Sequence, residues 1–540
     1  MKDENAMYDY IVVGGGSAGA VMATRLTENP QIKVLLLEAG GEDNSIFLRI
    51  PLGLGLILDN DNFVWRPNTL PQAKLYNNEM YWPSGKILGG SSSVNGMLAV
   101  RGQPLRYDEW AAAGCPGWSA EDVLPAFKKL ESYSEGDPEY RGKDGPIKIT
   151  KASPNPISEA FVASCGEAGF PLCEDYNDQK AEGASRMQMS IRRGKRCSTS
   201  RAYLRLARRR PNLRVKTNSI VSSVSFDGDR ATGVKYIGPD GAEHSQSVRK
   251  EVILCAGAIR SPQILELSGV GDAQLLKKMG IEVVKHNPVV GENLQDHLMP
   301  RLNYECNYPY TVNDIIRNKA RMVCELMRYG VFRDGLFSTP GVSGTAFVRS
   351  RDNLKYPDLR LQVGLTSGTN RTAKSVATGI DDFSGFHIGG YFLYPESRGN
   401  IHIASRDPRE APNIDPNYLT QPLDCEVMLR TMRVLRRIAA QPSMSAMIKR
   451  ATRPPMKSDE TDEELLDYAR QTSYTCWHPI GTCHMGPENS SVVDHQMRVH
   501  GLKGIRVVDA SIIPFHVSSN TNIPTIMLAE RAAEFIKSSE

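Results

Sequence analysis

The N-terminal region contains a strand-like segment, then a helical segment, then a second strand-like segment. Tyr8 to Val13 is an apolar run typical of a short buried strand, and glycines dominate the six residues at 14–19. The next ten residues, AVMATRLTEN, have the composition of a helix, and Pro30 marks its end. A second apolar run, Lys33 to Leu37, ends at Glu38. This pattern predicts a strand–helix–strand unit.

Three glycines with the spacing G-x-G-x-x-G lie at the first turn of this unit. Gly14 permits the tight turn, Gly16 lets the backbone approach a pyrophosphate, and Gly19 allows the helix to pack closely on the strand. The helix N-terminus adds amide donors and the positive end of its dipole. Glu38, 19 positions after Gly19, is placed to accept hydrogen bonds from an adenosine ribose. The unit therefore predicts a dinucleotide site, although this motif alone does not separate NAD from FAD.

The same glycines contain a second motif with a different meaning. Residues 15–19 match G-x-S-x-G, the turn that carries the nucleophile of α/β-hydrolases, with Ser17 as the nucleophile. In those enzymes the turn follows several strands and the segment that supplies the oxyanion hole, whereas here it follows the first strand. We therefore favour the dinucleotide interpretation of this segment.

Further periodic segments lie downstream. Residues 84–102 are rich in glycine and serine, which would let a loop pack against a flat cofactor, and residues 251–271 predict a strand followed by a helix. The run from Pro524 to Lys537 predicts a helix with proline at its first position. Alternating runs at 385–395 and 400–404 suit a mixed antiparallel sheet, and helices are expected at 423–440 and 462–471.

Composition and charge narrow the class of protein. The 540 residues are 40% hydrophobic and 23% charged, which excludes disorder and coiled coil. A net charge of +4 does not by itself indicate nucleic acid or a membrane, and it suits an uncharged small substrate. Basic clusters at 192–196 and 208–210 lack interleaved aromatic residues and are expected to be solvated. We expect no nucleic-acid partner.

The sequence also gives expectations for the cellular location of the protein and for metal binding. The N-terminal residues are polar, and the interrupted apolar stretch at 48–58 is too short for a bilayer, so no signal peptide and no integral membrane segment are expected. Ten scattered cysteines are typical of a reducing compartment, and we expect a cytoplasmic protein. Cys476, His478, Cys483 and His484 match no common zinc spacing, so no metal is predicted.

Four segments together resemble one enzyme family. Residues 85–102 and 257–271 resemble the two signatures of the glucose–methanol–choline (GMC) oxidoreductases, and WHPIGTCHMG at 477–486 and residues 504–530 resemble their C-terminal motifs. The resemblance extends from about residue 8 to 536 and is weakest between about 308 and 395. The chain is most similar to the subgroup of choline dehydrogenase-like and aryl or furfuryl alcohol oxidase-like members.

This resemblance implies the fold and the division of the chain. We expect an α/β protein, α+β overall, with a Rossmann-like FAD-binding domain and an interleaved substrate-binding domain built on a mixed or antiparallel sheet with helices. The FAD-binding domain should combine residues 1–150, 200–305 and 470–540, because the cofactor motifs lie in all three segments. Residues 151–199 and 306–469 should form the substrate-binding domain.

Two residues match the catalytic positions of the family. His478 matches its catalytic histidine, and histidine suits proton abstraction because its unperturbed pKa, about 6.5, lies near working pH. Asn520 matches a second active-site position and is expected to hold the substrate oxygen. His297, His402 and His516 receive no role, although His516 is a candidate for lining the substrate cavity.

The resemblance also implies cofactor contacts. The family's C-terminal helix directs its N-terminus at the flavin, where a positive dipole end would stabilise the charge that develops on reduction. Some members bond FAD covalently through a histidine, and Val94 occupies that position here, so dissociable FAD is expected. The positions expected to contact FAD are Gly14, Gly16, Ser17, Ala18, Gly19, Glu38, Ala39, Trp65, Ser91, Asn95, Gly96, Met97, Leu98, Val221, Trp477, Asp509, Ala510, Asn522 and Pro524.

The function expected from the resemblance is oxidation of a primary or activated, aryl or allylic, alcohol to the aldehyde. His478 would take the hydroxyl proton, flavin N5 would take the hydride, and O₂ or a quinone or other acceptor would take the electrons. A hydroxynitrile lyase that uses the same scaffold without redox turnover is one alternative. A flavin-binding protein without catalysis is another. The specific alcohol and the oligomeric state are not predicted.

Overall fold

The computed structural model describes residues 7–368, 379–455 and 460–539 of the chain. Four of its α-helices have proline as their first residue, where the fixed φ of proline suits a helix start and no intrahelical amide bond is lost. Across these ranges, no helix is both long and apolar enough to cross a membrane. The α-helices are Ser17–Leu26, Leu54–Ile57, Pro104–Ala112, Ala120–Leu130, Pro156–Glu167, Arg205–Ala207, Gly257–Leu267, Ala273–Lys278, Val312–Arg317, Lys319–Phe332, Pro422–Ala439, Pro442–Ser445, Asp462–Thr472 and Asn522–Ser539.

A seven-stranded mixed sheet contains the N-terminal unit. Its first strand, Tyr8–Val13, is buried along its whole length and has parallel neighbours on both sides, as its mainly apolar sequence predicts. Two antiparallel strands extend the sheet on one side, and a short strand near the C-terminus joins in parallel. The spatial order is Leu213–Lys216, Val34–Leu37, Tyr8–Val13, Glu243–Leu254, Arg230–Ile237 and Ile220–Asp227, with Ile505–Val507 paired to Glu243–Leu254.

A second, six-stranded sheet is antiparallel throughout. Its strands follow the order Ile448–Arg453, Arg301–Cys306, Gly385–Phe392, Leu359–Gly364, Val342–Val348 and Gly183–Arg186. Helices Pro156–Glu167 and Pro422–Ala439 pack on one face of this sheet, and a separate hydrophobic core fills that space. The other face carries polar side chains toward the cavity described below. The two sheets together confirm the predicted α/β fold, with one Rossmann-like part and one antiparallel part.

The predicted elements agree with the structure except at particular boundaries. The first helix begins at Ser17, inside the glycine motif, because glycine and serine there adopt helical geometry. The C-terminal helix begins at Asn522, so Pro524 is its third residue and not its first. The run at 400–404 does not join the six-stranded sheet, because Asn400–His402 pairs instead with Asn413–Asp415 in a two-stranded ladder.

The C-terminal helix is fixed to the first helix by a buried charge. The Glu530 carboxylate is fully buried, and it accepts a two-pronged hydrogen bond from the Arg25 guanidinium and one from the Tyr203 hydroxyl. The ends of these helices are linked as well, since Ser17 Oγ donates to Asn522 Oδ1 at 2.7 Å. Both N-termini therefore lie side by side at the edge of the parallel strands, which is where α/β sheets place their ligands.

Candidate active site

One large cavity is lined by residues of both sheets and brings most of the predicted site together. His478 and Asn520 line this cavity together with Gly14, Gly16 and Ser17 of the glycine turn. The predicted cofactor positions that line it are Gly14, Gly16, Ser17, Ala18, Glu38, Ala39, Trp65, Ser91, Asn95, Gly96, Met97, Leu98, Val221, Trp477, Asp509, Ala510 and Asn522. Gly19 and Pro524 lie outside the lining, and both are buried in their helices.

The glycine turn is shaped for close approach of a ligand to the backbone. A Cβ atom on Gly19 would lie 1.8 Å from the Gly14 carbonyl oxygen, so Gly19 serves helix packing. Gly16 is the N-cap of the first helix, and no side chain caps that end, which leaves its amides to the cavity. A Cβ atom on Gly16 would approach the rest of the protein only to 3.8 Å. The space at Gly16 therefore fits a pyrophosphate at a helix N-terminus.

Glu38 is oriented by backbone amides at the end of its strand. Its two carboxylate oxygens accept from the Gly15 and Gly40 amides, each at 2.7 Å. Each oxygen keeps a second lone pair, and the side chain lines the cavity, so hydrogen bonds from a ribose remain possible. Burial raises the pKa of Glu38 to about 7.

Asp509 connects the late loop to the second signature segment. Its carboxylate accepts from the Gly257 amide at 2.9 Å, from the Ser261 hydroxyl at 2.6 Å and from the Ser511 amide at 2.8 Å. Gly257 has a φ of +83°, and a Cβ atom there would meet no protein atom within 4 Å. Gly257 thus opens on the cavity as Gly16 does, and the pair forms a glycine-walled cradle that fits a dinucleotide.

Arg196 holds the serine-rich loop, and the sequence did not single it out. Its guanidinium is buried and donates to the Leu48 and Ser92 carbonyl oxygens and to the Asn95 side chain. Burial lowers the pKa of Arg196 to about 9. The basic cluster at 192–196 was expected to be solvated, and for Arg196 this expectation is wrong because the loop at 92–95 supplies carbonyl acceptors that replace water.

Two tryptophans, Trp65 and Trp477, line the cavity. The Trp65 ring lies between the Lys86 ammonium, 4.5 Å from its centroid, and the Arg260 guanidinium at 4.2 Å. The Trp477 indole donates to the Tyr81 carbonyl oxygen at 2.9 Å, which fixes the residue next to His478.

His478 and Asn520 are in direct contact. Asn520 Nδ2 lies 2.8 Å from His478 Nε2, and His478 Nδ1 lies 3.0 Å from Nδ1 of His297. The backbone amide of His478 donates to Asp296 Oδ1 at 2.7 Å. The other carboxylate oxygen of Asp296 accepts from the Thr475 and Tyr418 hydroxyls. Loop 475–478 is thereby fixed to the segment at 296–297.

These contacts determine which nitrogen of His478 carries the proton. His297 Nε2 lies 3.0 Å from the Leu393 carbonyl oxygen, which can only accept, so Nε2 of His297 is protonated. Nδ1 of neutral His297 is then an acceptor, and His478 must donate to it from its own Nδ1. His478 Nε2 is left unprotonated, and its lone pair accepts from Asn520 Nδ2 in the lining of the cavity.

The contacts on the other side of the pair are compatible with this assignment. Arg360 Nη1 donates to the Tyr391 hydroxyl at 2.6 Å, and that hydroxyl contacts Ser519 Oγ at 2.6 Å. Ser519 Oγ donates to Asn520 Oδ1 at 3.2 Å, which leaves the Nδ2 group of Asn520 as the donor to His478. A chain of hydrogen bonds therefore runs in one direction. It begins at the Arg360 guanidinium, which can only donate, and ends at the Leu393 carbonyl oxygen, which can only accept.

Burial keeps this histidine cluster neutral. The pKa of His478 is lowered well below its usual value, first by burial and then by His297 and Arg360, and the pKa of His297 is lowered to about 3 by burial. His516 was a candidate for lining the cavity, but it lies behind it, with its ring 3.9 Å from that of His297. His402 contacts the Glu266 and Glu292 carboxylates, whose hydrogen bonds outweigh its burial and raise its pKa to about 9.

The alternative chemistries weighed from the sequence find no support in this geometry. The Ser17 hydroxyl donates to Asn522 and so has the contacts of a helix-linking residue, not those of a nucleophile beside a base. Over residues 7–368, 379–455 and 460–539, no group of three or more His, Cys, Asp or Glu side chains is arranged to hold a metal ion.

Comparisons with known proteins agree with this architecture. Family models described as GMC oxidoreductase match residues 8–299 and 395–529. The oxygen-dependent choline dehydrogenase of Escherichia coli (strain K12) is 39% identical over 547 residues, covering 99% of this chain and 96% of that protein.

Solved structures extend the comparison. Pyridoxine 4-oxidase from Mesorbium loti superposes with a TM-score of 0.87 at 27% identity, over 98% of each chain. An FAD-dependent oxidoreductase from Chaetomium thermophilum superposes with a TM-score of 0.89 at 26% identity, over 98% of this chain and 99% of that one.

A single methyl group added at Gly16 tests the role of the glycine cradle. The methyl of Gly16→Ala would meet Gly90 Cα at 3.8 Å and the Cys255 oxygen at 3.9 Å, so the fold should persist while the methyl occupies the space for a pyrophosphate. We expect the purified variant to lose most of its flavin absorbance but to keep its circular dichroism. Gly330→Ala, on the helix Lys319–Phe332 with no atom near its Cβ position, should keep both. Full flavin content in Gly16→Ala would contradict this role.

Proposed function

Since the chain belongs to the GMC oxidoreductase family, we propose that it oxidises a primary or activated alcohol to the aldehyde with FAD as its cofactor. The observation that carries the proposal is the unprotonated Nε2 of His478, which lines the cavity and accepts from the Asn520 amide. Oxidation of an alcohol requires a base for the hydroxyl proton and a hydride acceptor at the carbinol carbon. His478 is the base in this proposal.

The residues of the pair have different tasks. A bound substrate hydroxyl replaces the Asn520 amide as the donor to His478 Nε2. The Asn520 amide then donates to the substrate oxygen as the proton leaves. Asn520 does not titrate, so it can hold the oxygen in both protonation states of His478. The positive charge that His478 gains is shared with His297, because His478 Nδ1 stays donated to it.

FAD, when bound, would supply the hydride acceptor. The glycine cradle at Gly16 and Gly257 would hold its pyrophosphate, and Glu38 would accept from its ribose. The N-terminus of the helix Asn522–Ser539 is directed to the same cavity, where its dipole would favour negative charge. O₂ or a quinone or other acceptor would then take the electrons.

We also propose the division of the chain into an FAD-binding and a substrate-binding domain, and a cytoplasmic location. All seven strands of the mixed sheet fall within residues 1–150, 200–305 and 470–540, which supports these segments as the FAD-binding domain. Five strands of the antiparallel sheet fall within 151–199 and 306–469, and Arg301–Cys306 crosses the boundary. Ten free cysteines support a reducing compartment such as the cytoplasm.

Replacing His478 tests the base directly. His478→Ala should keep its bound flavin, because the glycine cradle is untouched, and should lose about 10²–10⁴-fold in the rate of anaerobic flavin reduction by an alcohol. Stopped-flow absorbance measures this rate. His495→Ala, a partly exposed histidine outside the cavity lining, is the control and should react like the wild type. Equal reduction rates in His478→Ala and the wild type would exclude His478 as the base.

The pH dependence of the same rate follows from the lowered pKa of His478. A base whose pKa is lowered stays deprotonated as the pH falls, and it loses activity only near that lowered pKa. We expect the reduction rate to stay constant from about pH 8 to about pH 6 and to fall only in more acidic buffers. A decline centred near pH 6.5, the ordinary histidine value, would show that burial does not set the titration of the base.

The attachment of the flavin depends on Val94. Val94 is buried, lines the cavity and has a hydrocarbon side chain that forms no bond to a flavin. We therefore expect acid precipitation to leave the yellow colour in the supernatant. Colour retained in the washed protein pellet would indicate a covalent bond elsewhere.

A further inference from the structure

The catalytic end of the cavity differs in charge from the dinucleotide end. Among the lining residues that the structure describes, the only carboxylates are Glu38 and Asp509, and backbone amides of the dinucleotide half hold both. Around His478 the antiparallel sheet and its neighbours contribute Met299, Arg360, Gln362, His387, Tyr391 and Tyr474. Of these six described side chains, only that of Arg360 is permanently charged.

Arg360 is a buried cation without a counter-charge. The residue is 1% exposed, and its guanidinium contacts the Tyr391 hydroxyl at 2.6 Å, the Thr345 hydroxyl at 3.4 Å and the Met187 sulfur at 3.7 Å. All three partners are uncharged, and within the described ranges no carboxylate lies at ion-pair distance from it. The field of such a cation is weakly screened, because little water separates it from the cavity.

The Tyr391 ring is close to both the Arg360 guanidinium and the His478 ring. The Tyr391 ring centroid lies 5.6 Å from the guanidinium and 6.0 Å from the His478 ring centroid. Arg360 also lowers the pKa values of both His478 and His297.

A buried acid, Asp296, contacts His478 but is not part of the cavity lining. Asp296 is buried behind the backbone of His478, does not line the cavity, and directs its oxygens to the amide of His478 and the hydroxyls of Thr475 and Tyr418. His297, His478 and His516 are neutral because burial lowers their pKa values. A bound substrate therefore faces a net positive environment.

We propose, on the basis of the alcohol oxidation proposed above, that the substrate is an alcohol without positive charge, neutral or anionic, and that Arg360 excludes choline-like cations. A trimethylammonium group bound here would lose its water, find no carboxylate, and lie near an uncompensated guanidinium. This specificity differs from the choline named for the oxygen-dependent choline dehydrogenase to which the chain is similar.

Choline and its carbon isostere test the proposal as a matched pair. In the isostere a tert-butyl group replaces the trimethylammonium group, so the two alcohols share their shape and differ by one unit of charge. The second-order rate constant of anaerobic flavin reduction is measured for each with the holoenzyme. We expect the isostere to react at least about tenfold faster, as for one charge repulsion at an effective dielectric constant of about 20. Equal rates, or a faster reaction with choline, would overturn the proposal.

Two variants assign the effect to Arg360. Arg360→Met removes the charge and should bring the ratio of the two rate constants several-fold closer to one, whereas Arg360→Lys keeps the charge and should keep the preference for the isostere. The ratio is internal to each variant, so a general loss of activity does not affect it. An unchanged ratio in Arg360→Met would show that another feature sets the discrimination.

Failure of the proposed function has a different signature. In that case no primary alcohol, aryl alcohols included, would reduce the flavin. The dissociation constants of choline and its isostere, measured from the perturbation of the flavin spectrum, would then give the charge preference without turnover.

Discussion

The active site depends on a single direction of hydrogen bonding. Arg360 can only donate and the Leu393 carbonyl can only accept, so every group between them has one assignment that pairs each donor with an acceptor. Reversal of the Asn520 amide would place a proton on His478 Nε2 and would set two lone pairs of His478 and His297 against each other. The lone pair that we propose as the base is therefore a property of the network and not of His478 alone.

The fold supplies this network from segments that are distant in sequence. Arg360 and Tyr391 are cross-strand partners in the antiparallel sheet, so their side chains share its cavity face. Loop 475–478 is held to the segment at 296–297 by Asp296, and the start of the C-terminal helix places residues 519–522 beside both. The parallel strands bring the glycine cradle to the same cavity. The cavity thus joins the proposed base to the glycine cradle.

Local patterns in the sequence predicted what depends on local physics. The strand–helix–strand unit, its glycines and Glu38 lie in one short segment whose spacing has few other uses, and the structure places them as expected. The family motifs identified His478 and Asn520 as candidate catalytic residues. His297 received no role, because its partner lies 181 residues away and no periodicity connects them. Arg196 and Arg360 were missed for a related reason, since burial of an arginine depends on which carbonyls or hydroxyls the tertiary fold brings to it.

In the proposed reaction, His478 presents an unprotonated Nε2 to the substrate. A neutron crystal structure of the deuterium-exchanged protein near neutral pH would locate the protons of the histidine cluster. We expect deuterium on Nδ1 of His478 and on Nε2 of His297, with none on Nε2 of His478. Deuterium on Nε2 of His478, donated to Asn520, would contradict the assignment of His478 as the base.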